Sequence, residues 1–244
     1  MESRPTRRYR TLGRSTRMFR SFLLEQTRPE VFYGDLARDT IEMLSRHEPL
    51  HDRSVIDVGA GPVQFAEEFS RAGARYAGLD LDVHTLGRTP VAAGVVARGE
   101  RLPLADASVD IAMSSNVMEH VPRPGVVGRE LLRVVRPGGL VFISYTAWSS
   151  PWGGHETSPW HLLGGEYAAR RYERTVGRPP KNRFGETMFP TRVADGLRWA
   201  RSQPDAWLIE AAPRYHPDWA TFVVDLPGVR ELTTWNLMMV LRRR

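Results

Sequence analysis

The stretch after residue 28 places apolar residues at helical spacing: Phe32, Leu36, Met43 and Leu44 mark one face. Thr27-Arg28-Pro29-Glu30 has the form of a capping box with proline just inside the helix start. The pattern predicts a helix from there to about His47, ended by Pro49. The period then changes. Short apolar runs predict strands at Ser54 to Val58, Arg75 to Leu79, Val91 to Ala97, Val109 to Ser115 and Leu140 to Tyr145, the third interrupted by Gly94. Helical segments fit between them, notably Gln64 to Arg71 and Gly125 to Val135. Strands alternating with helices imply βαβ units and a parallel sheet. From Trp148 to Pro204 the alternation stops in a stretch rich in Gly, Pro, Trp and Arg. Two strands return, at Ala206 to Ala212 and Thr233 to Leu241.

The 244 residues suit one α/β domain with a small appendage. Four segments are expected: a basic, flexible arm over 1–20, helices and an α/β core over 21–147, a substrate cap over 148–205, and the last two strands over 206–244. There is no cysteine, which excludes disulfides, thiolate metal sites and a cysteine nucleophile. No apolar run approaches the length of a membrane span, and the patch from Met18 to Leu24 is broken by Arg20 and Ser21. The expectation is a soluble cytoplasmic protein. Its oligomeric state is not legible.

The net charge of +6 prompts a nucleic-acid reading. Residues 1–20, however, hold seven arginines against Glu2, so they carry that whole excess and the rest of the chain balances. A solvated arm is the plain reading and contact with an anionic partner the sharper one.

Val55-Ile56-Asp57-Val58-Gly59-Ala60-Gly61-Pro62-Val63 reads as strand, tight turn, then helix. Glycines let a backbone approach a ligand closely, and a helix start offers free N–H groups. The next strand ends at Gly78-Leu79-Asp80, where a carboxylate can accept both ribose hydroxyls of an adenosine-type ligand. Asp80 could instead cap a helix, and Asp82 competes for either role.

Asp57 to Gly61 with an acid ending the second strand resembles the class I S-adenosylmethionine-dependent methyltransferases. Three further stretches resemble their small-molecule, type 11-like branch: Glu100-Arg101-Leu102-Pro103-Leu104 with Ala107-Ser108-Val109-Asp110, Ser114 to Val121, and Leu131 to Gly139. The resemblance implies a Rossmann-like, seven-stranded, mostly parallel sheet flanked by helices, with a reversed last strand and a cap after strand five. It implies S-adenosyl-L-methionine as cofactor, bound by Asp57, Gly59, Ala60, Gly61, Asp80, Leu81, Gly99, Glu100 and Asn116. Two positions depart from the family pattern: Val63 replaces a usual third glycine, and Arg98 stands where an acid often meets the adenine amine.

Methyl transfer is an in-line displacement that needs positioning and a dry site, and a hydroxyl acceptor also needs a base. Trp148 to His161 follows strand five with two histidines, a glutamate and three tryptophans. Three readings compete: a histidine base with tryptophans walling the acceptor, a structural lid, or a metal site from His155, Glu156 and His161. The first is preferred, with His155 ahead of His161 because Gly153-Gly154 could bring its backbone close to a ligand, and no residue is assigned to a metal. Trp148, Trp152, Trp160 and Arg183 are the expected acceptor contacts. His120 is a further candidate with a structural alternative, and Tyr33 and Phe19 could cover the site or pack in the core. The expected function is methyl transfer to a small-molecule hydroxyl. Rivals are N- or C-methylation, a nucleic-acid methyltransferase guided by the arginine arm, and a cofactor-binding protein without transfer activity.

Overall fold

The computed structural model describes residues 9–25, 27–61, 64–86 and 93–244. In chain order the elements are α1 (Leu12–Phe22), α2 (Pro29–Ser45), β1 (Ser54–Val58), α3 (Gln64–Arg71), β2 (Arg75–Asp80), α4 (Val83–Leu86), β3 (Ala93–Val96) and β4 (Val109–Ser115). They continue with α5 (Pro124–Val134), β5 (Val135–Thr146), α6 (Gly165–Val176), α7 (Val193–Arg201), β6 (Ala206–Pro213), α8 (Val229–Thr233) and β7 (Asn236–Arg243). The first eight residues, Val63, and Val91 and Ala92 of the predicted third strand lie outside the described residues.

The sheet has seven strands in the order β3-β2-β1-β4-β5-β7-β6. β1 pairs in parallel with β2 and β4, β2 with β3, and β4 with β5. β7 runs antiparallel to both β5 and β6. This is the Rossmann-like sheet with the reversed last strand. Side chains alternate between its two faces. Val55, Ile111, Met113, Phe142 and Val240 point to the side covered by α1, α2 and α3. Ile56, Val58, Ala112, Val141 and Met239 point to the side covered by α5 and α7. The strand order reverses between β1 and β4, so a ligand crevice opens at their carboxyl ends.

The N-terminal expectation is corrected by what residues 9–20 do. Thr11 caps α1, its side chain accepting from the Arg14 N–H. Tyr9, Arg10, Arg14 and Met18 are buried. The segment is a packed helix and not a solvated arm: Arg17 and Arg20 are exposed, but Arg10 and Arg14 meet acids brought to them by other elements. Arg10 pairs with Glu210 of β6, and Arg14 with Asp39 of α2. Thr27 makes no cap either. α2 starts behind Arg28 with no side-chain cap, with Pro29 in its first turn. α7 also departs from the cap expectation, since Val193, Leu197 and Ala200 belong to the core, leaving the lid to the residues before it.

Candidate active site

The turn after β1 requires glycine. Gly59 and Gly61 have φ of +78° and +56°, a region that costs any residue with a Cβ. A Cβ on Gly59 would meet a Val117 methyl at 2.3 Å, whereas one on Gly61 would meet only the Gly59 carbonyl at 3.8 Å. The first glycine serves packing against the turn after β4, and the second leaves open space. The Gly59 and Ala60 N–H groups both donate to the Leu79 carbonyl, tying the loop to β2.

Asp80, half-buried at the tip of β2, accepts from the Gly61 N–H at 3.4 Å and from the Asp82 N–H at 3.0 Å. Asp82 accepts from the His84 N–H at 2.9 Å and so caps α4. The competition between the two acids is thereby divided, Asp80 bracing the glycine loop and Asp82 capping the helix. Leu81 beside them is exposed. Asp57 lies beneath the loop, fully buried, with one carboxylate oxygen accepting from the Tyr76 hydroxyl at 2.7 Å and the other without a partner. Burial, reinforced by the charge of Asp80, pushes its carboxyl up to about 7 despite the Tyr76 hydrogen bond.

Gly99 and Glu100 form the turn after β3, where Arg98 bridges to Arg101. A Cβ on Gly99 would meet Val58 at 3.1 Å and Val127 at 3.2 Å, so this turn lies against the end of β1. Asn116 follows β4 with φ of +58°. Its N–H donates to the Ser144 carbonyl and its side-chain oxygen accepts from Asn236 at 2.7 Å. The Tyr215 hydroxyl approaches the same side chain. The predicted cofactor residues from β1, β2, β3 and β4 therefore gather at neighbouring strand ends. An orphaned carboxylate oxygen below the loop, open space at Gly61 and a half-buried acid at β2 fit a nucleoside-bearing cofactor such as S-adenosylmethionine.

The stretch after β5 is less uniform than its composition. His161 is buried, its Nε2 donating to the carbonyls of Trp148 at 2.9 Å and Ser150 at 3.1 Å. It holds the lid closed from inside. The Gly153-Gly154 pair serves the same closure rather than a ligand: a Cβ on Gly153 would strike the Trp148 carbonyl at 2.0 Å, and one on Gly154 the His161 ring at 2.4 Å. Glu156 accepts from the Asn182 backbone and side chain at 2.7 and 2.8 Å, pinning the lid to the 181–188 turn. Trp148 packs on His161 and Phe184, and Trp152 on Phe22 and Trp235. Trp160 lies 41% exposed beneath the Arg171 guanidinium, and exposed Arg183 pairs with Glu186. Those two expected acceptor contacts face outward.

His155 alone of the two loop histidines turns toward the strand ends. It has φ of +49°, and its ring meets His120 edge to face, with centroids 5.2 Å apart. Burial, with His120 adding to it, lowers its imidazole to about 4. His120 Nδ1 lies 2.8 Å from the Thr187 carbonyl. Glu119, buried beside them, accepts the Thr146 N–H at 3.0 Å with one oxygen and leaves the other unpartnered. Burial raises its carboxyl above the ordinary range, opposed by His120. His155, Glu156 and His161 do not assemble as a metal site, because Glu156 is bonded to Asn182 and His161 to the lid carbonyls.

Sequence reasoning missed Glu119, Tyr215, Asn236 and Arg214. Glu119 had a signal, standing between Asn116 and His120 in a stretch already singled out. Tyr215 and Asn236 had none, being brought in only by β6 and β7. The N-terminal helix completes this side. Phe19 lies near Trp235 at 6.2 Å, and Phe22 near Trp152 at 5.4 Å, centroid to centroid. Between α1 and Trp235 is a cleft of about 270 Å³, lined in part by Met18, Phe19, Tyr215 and His216. Tyr33 donates its hydroxyl to Glu25 at 3.2 Å nearby.

A reversed-strand α/β sheet with a glycine loop and an acid ending the second strand defines a nucleoside-cofactor-binding enzyme of the class I transferase type. Comparison with known proteins narrows this. A family profile described as "Methyltransferase domain" matches residues 56–143. A protein of Mycobacteroides abscessus named "Uncharacterized methyltransferase" is 47% identical, over 96% of this chain and 95% of that one. A Mycobacterium marinum protein of the same name is 47% identical over 96% of each chain. The chain belongs to the class I S-adenosylmethionine-dependent methyltransferase family. Among solved structures, an S-adenosylmethionine-dependent methyltransferase from Mesorhizobium loti shares the fold with TM-score 0.57 at 17% identity, covering 83% of this chain and 96% of that one. The [4+2]-cyclase SpnF shares it with TM-score 0.53 at 14% identity, covering 85% and 81%. No helix of the described residues is long and apolar enough to cross a membrane.

Proposed function

We propose that the chain methylates a hydroxyl group of a small-molecule acceptor bound under α1 and the lid. The observation that carries this reading is the group formed by buried Glu119 with half-buried His120 and His155, past the ends of β4 and β5. A bound S-adenosylmethionine would supply a methyl group already activated by sulfonium. Gly59, Ala60 and Gly61 would cradle it, Asp80 would hold its ribose, the turn at Gly99 and Glu100 would flank its adenine, and Asn116 would hold its amino-acid end. Asp57 would support the loop from below and exposed Leu81 would border the ribose.

A hydroxyl loses its proton reluctantly, so a base within reach accelerates its attack, typically by ~10²–10⁴-fold. His155 is assigned that role, because its unpartnered Nδ1 belongs to a ring that meets His120 and Glu119 at the strand ends. His161 also has an unpartnered Nδ1, but its Nε2 is held by two lid carbonyls and its ring lies against Gly154, so it is assigned to the lid. Trp152 walls the acceptor side with Phe22 and Trp235, and Trp148 holds the lid. On the α1 side, a cleft of about 270 Å³ lined in part by Phe19, Tyr215 and Trp235 suits a small acceptor better than a duplex. The arginines at 10 and 14 are occupied by acids, which weakens the nucleic-acid reading further.

The experiment is incubation of the purified protein with isotope-labelled S-adenosylmethionine and cell extract, with mass spectrometry of labelled products. A labelled methyl ether supports the proposal. Label confined to nitrogen, carbon or nucleic acid overturns it. Once the acceptor is known, His155→Ala should cut turnover ~10²-fold or more while donor affinity stays constant.

A further inference from the structure

Glu119, His120 and His155 offer one ligand atom each such that all three lie within 4.8 Å of one another. Glu119 and His120 come from the short turn Met118–His120 after β4, and His155 comes from the lid. The state of each donor points the same way. Glu119 is 1% exposed, and its second carboxylate oxygen has no partner. A buried carboxylate oxygen without a hydrogen bond is costly, and a cation removes that cost. The Thr187 carbonyl beside His120 Nδ1 can only accept, so Nδ1 carries the proton and Nε2 keeps its lone pair. A backbone carbonyl fixing one ring nitrogen is how proteins orient an imidazole whose other nitrogen binds a metal. His155 adds a buried Nδ1 that has no partner.

We infer that Glu119, His120 and His155 form a binding site for one divalent transition-metal ion of the zinc class. Two imidazoles and one carboxylate are the donor set of three-ligand zinc sites, which keep a fourth position open. Magnesium and calcium favour all-oxygen sets, so they are excluded by donor chemistry. Zinc bonds of ~2.0–2.2 Å put tetrahedral neighbours ~3.3 Å apart, so the ligand atoms would draw together by at most ~1.5 Å. Side-chain rotation in the lid can supply that. The ion would join the lid to the end of β4, and so would stabilise the closed protein.

This inference stands on the three side chains and not on the choice of acceptor. It also bears on the base. A lone pair given to a metal cannot take a proton, so zinc binding and base action by His155 exclude each other. Zinc is therefore expected to inhibit methyl transfer and a chelator to restore it.

The test is calorimetric titration of the chelator-treated, full-length protein with zinc chloride, with a magnesium chloride control. One zinc should bind per chain and magnesium should not. His120→Ala and His155→Ala should each weaken zinc binding at least ~10-fold, the order found when a metal site loses support. Glu119→Gln is the stricter variant, and the two histidine variants carry the test if it fails to fold. His51→Ala, at an exposed histidine far from the group, should change nothing. Undiminished binding in both His120→Ala and His155→Ala would overturn the site, as would absence of binding to the intact chain. Zinc binding that activates transfer would uphold the site and overturn His155 as the base, whereas a failed site leaves the methyl-transfer reading standing.

Discussion

Arg14 and Asp39 form a two-pronged ion pair in the interior. Arg14 Nε lies 2.6 Å from one carboxylate oxygen of Asp39 and Nη2 lies 2.8 Å from the other. Tyr9 donates its hydroxyl to the same carboxylate. Burial alone would raise the Asp39 carboxyl, but the hydrogen bonds and charge of Arg14, with the charge of Arg214, outweigh it and hold it below the ordinary range. Arg214, itself fully buried, continues the chain of contacts. It donates to Ser115 and Ser144 at 2.9 and 2.8 Å, and to Thr40 at 2.6 Å. α1 is thus wired through α2 to the tips of β4 and β5, beside Asn116.

Removal of residues 1–14, or Arg14→Ala, is therefore expected to destabilise the protein. Breaking a buried pair costs about 3–5 kcal/mol when the other charge is left alone, and Arg214 and Tyr9 still hold Asp39, so a smaller loss is expected for Arg14→Ala. Chemical denaturation would show a lower midpoint, and an unchanged midpoint would mean the ion pair is dispensable. The deletion should also weaken donor binding, because Arg14 holds the Arg214 carbonyl and Arg214 holds Ser115, the neighbour of Asn116.

Asp57 gives a pH dependence of the opposite sign to the usual acid. Its carboxyl rises from 3.8 unfolded to about 7 folded, so the fold favours its protonated form. Its stabilising contribution is full below 3.8 and is lost as pH rises through about 7. Asp57→Asn, which cannot ionise, should raise the melting temperature of the ligand-free protein clearly more at pH 8 than at pH 5. Equal shifts at both values would sink this assignment.

The two loop glycines should separate stability from binding. Gly59→Ala drives a Cβ into Val117 and should unfold the turn, seen as a large fall in melting temperature. Gly61→Leu costs ~1–2 kcal/mol for its backbone conformation, yet points a side chain into open space. It should keep the fold and lose S-adenosylmethionine affinity in calorimetry. Wild-type affinity in the folded Gly61→Leu protein would remove this loop from the cofactor site.

His161→Ala removes a donor from two buried carbonyls and leaves a hole in the lid. A cost of ~1–3 kcal/mol is expected. Any loss of turnover should follow the loss of lid order, with donor affinity retained. If turnover falls as steeply as in His155→Ala while stability is unchanged, then His161 reaches the acceptor after all.

By itself the sequence determined where the central strands lie. Buried parallel strands are continuous apolar runs, and β1, β2 and β4 stand within a residue of where those runs predict them. Gln64 to Arg71 is likewise the helix its spacing implies. The glycine loop and Asp80 were legible because backbone conformation and a strand-end acid are local properties. Only the tertiary structure decided the N-terminus and the lid. Arg10 and Arg14 differ in no sequence property from solvated arginines, and their burial depends on Glu210 and Asp39, far along the chain. His155 and His161 stand six positions apart in one loop with the same chemistry. One is locked on carbonyls of its own loop and the other meets Glu119 and His120, 35 or more residues earlier. Composition marks such residues as capable of chemistry, but long-range packing decides which lone pairs remain free to perform it.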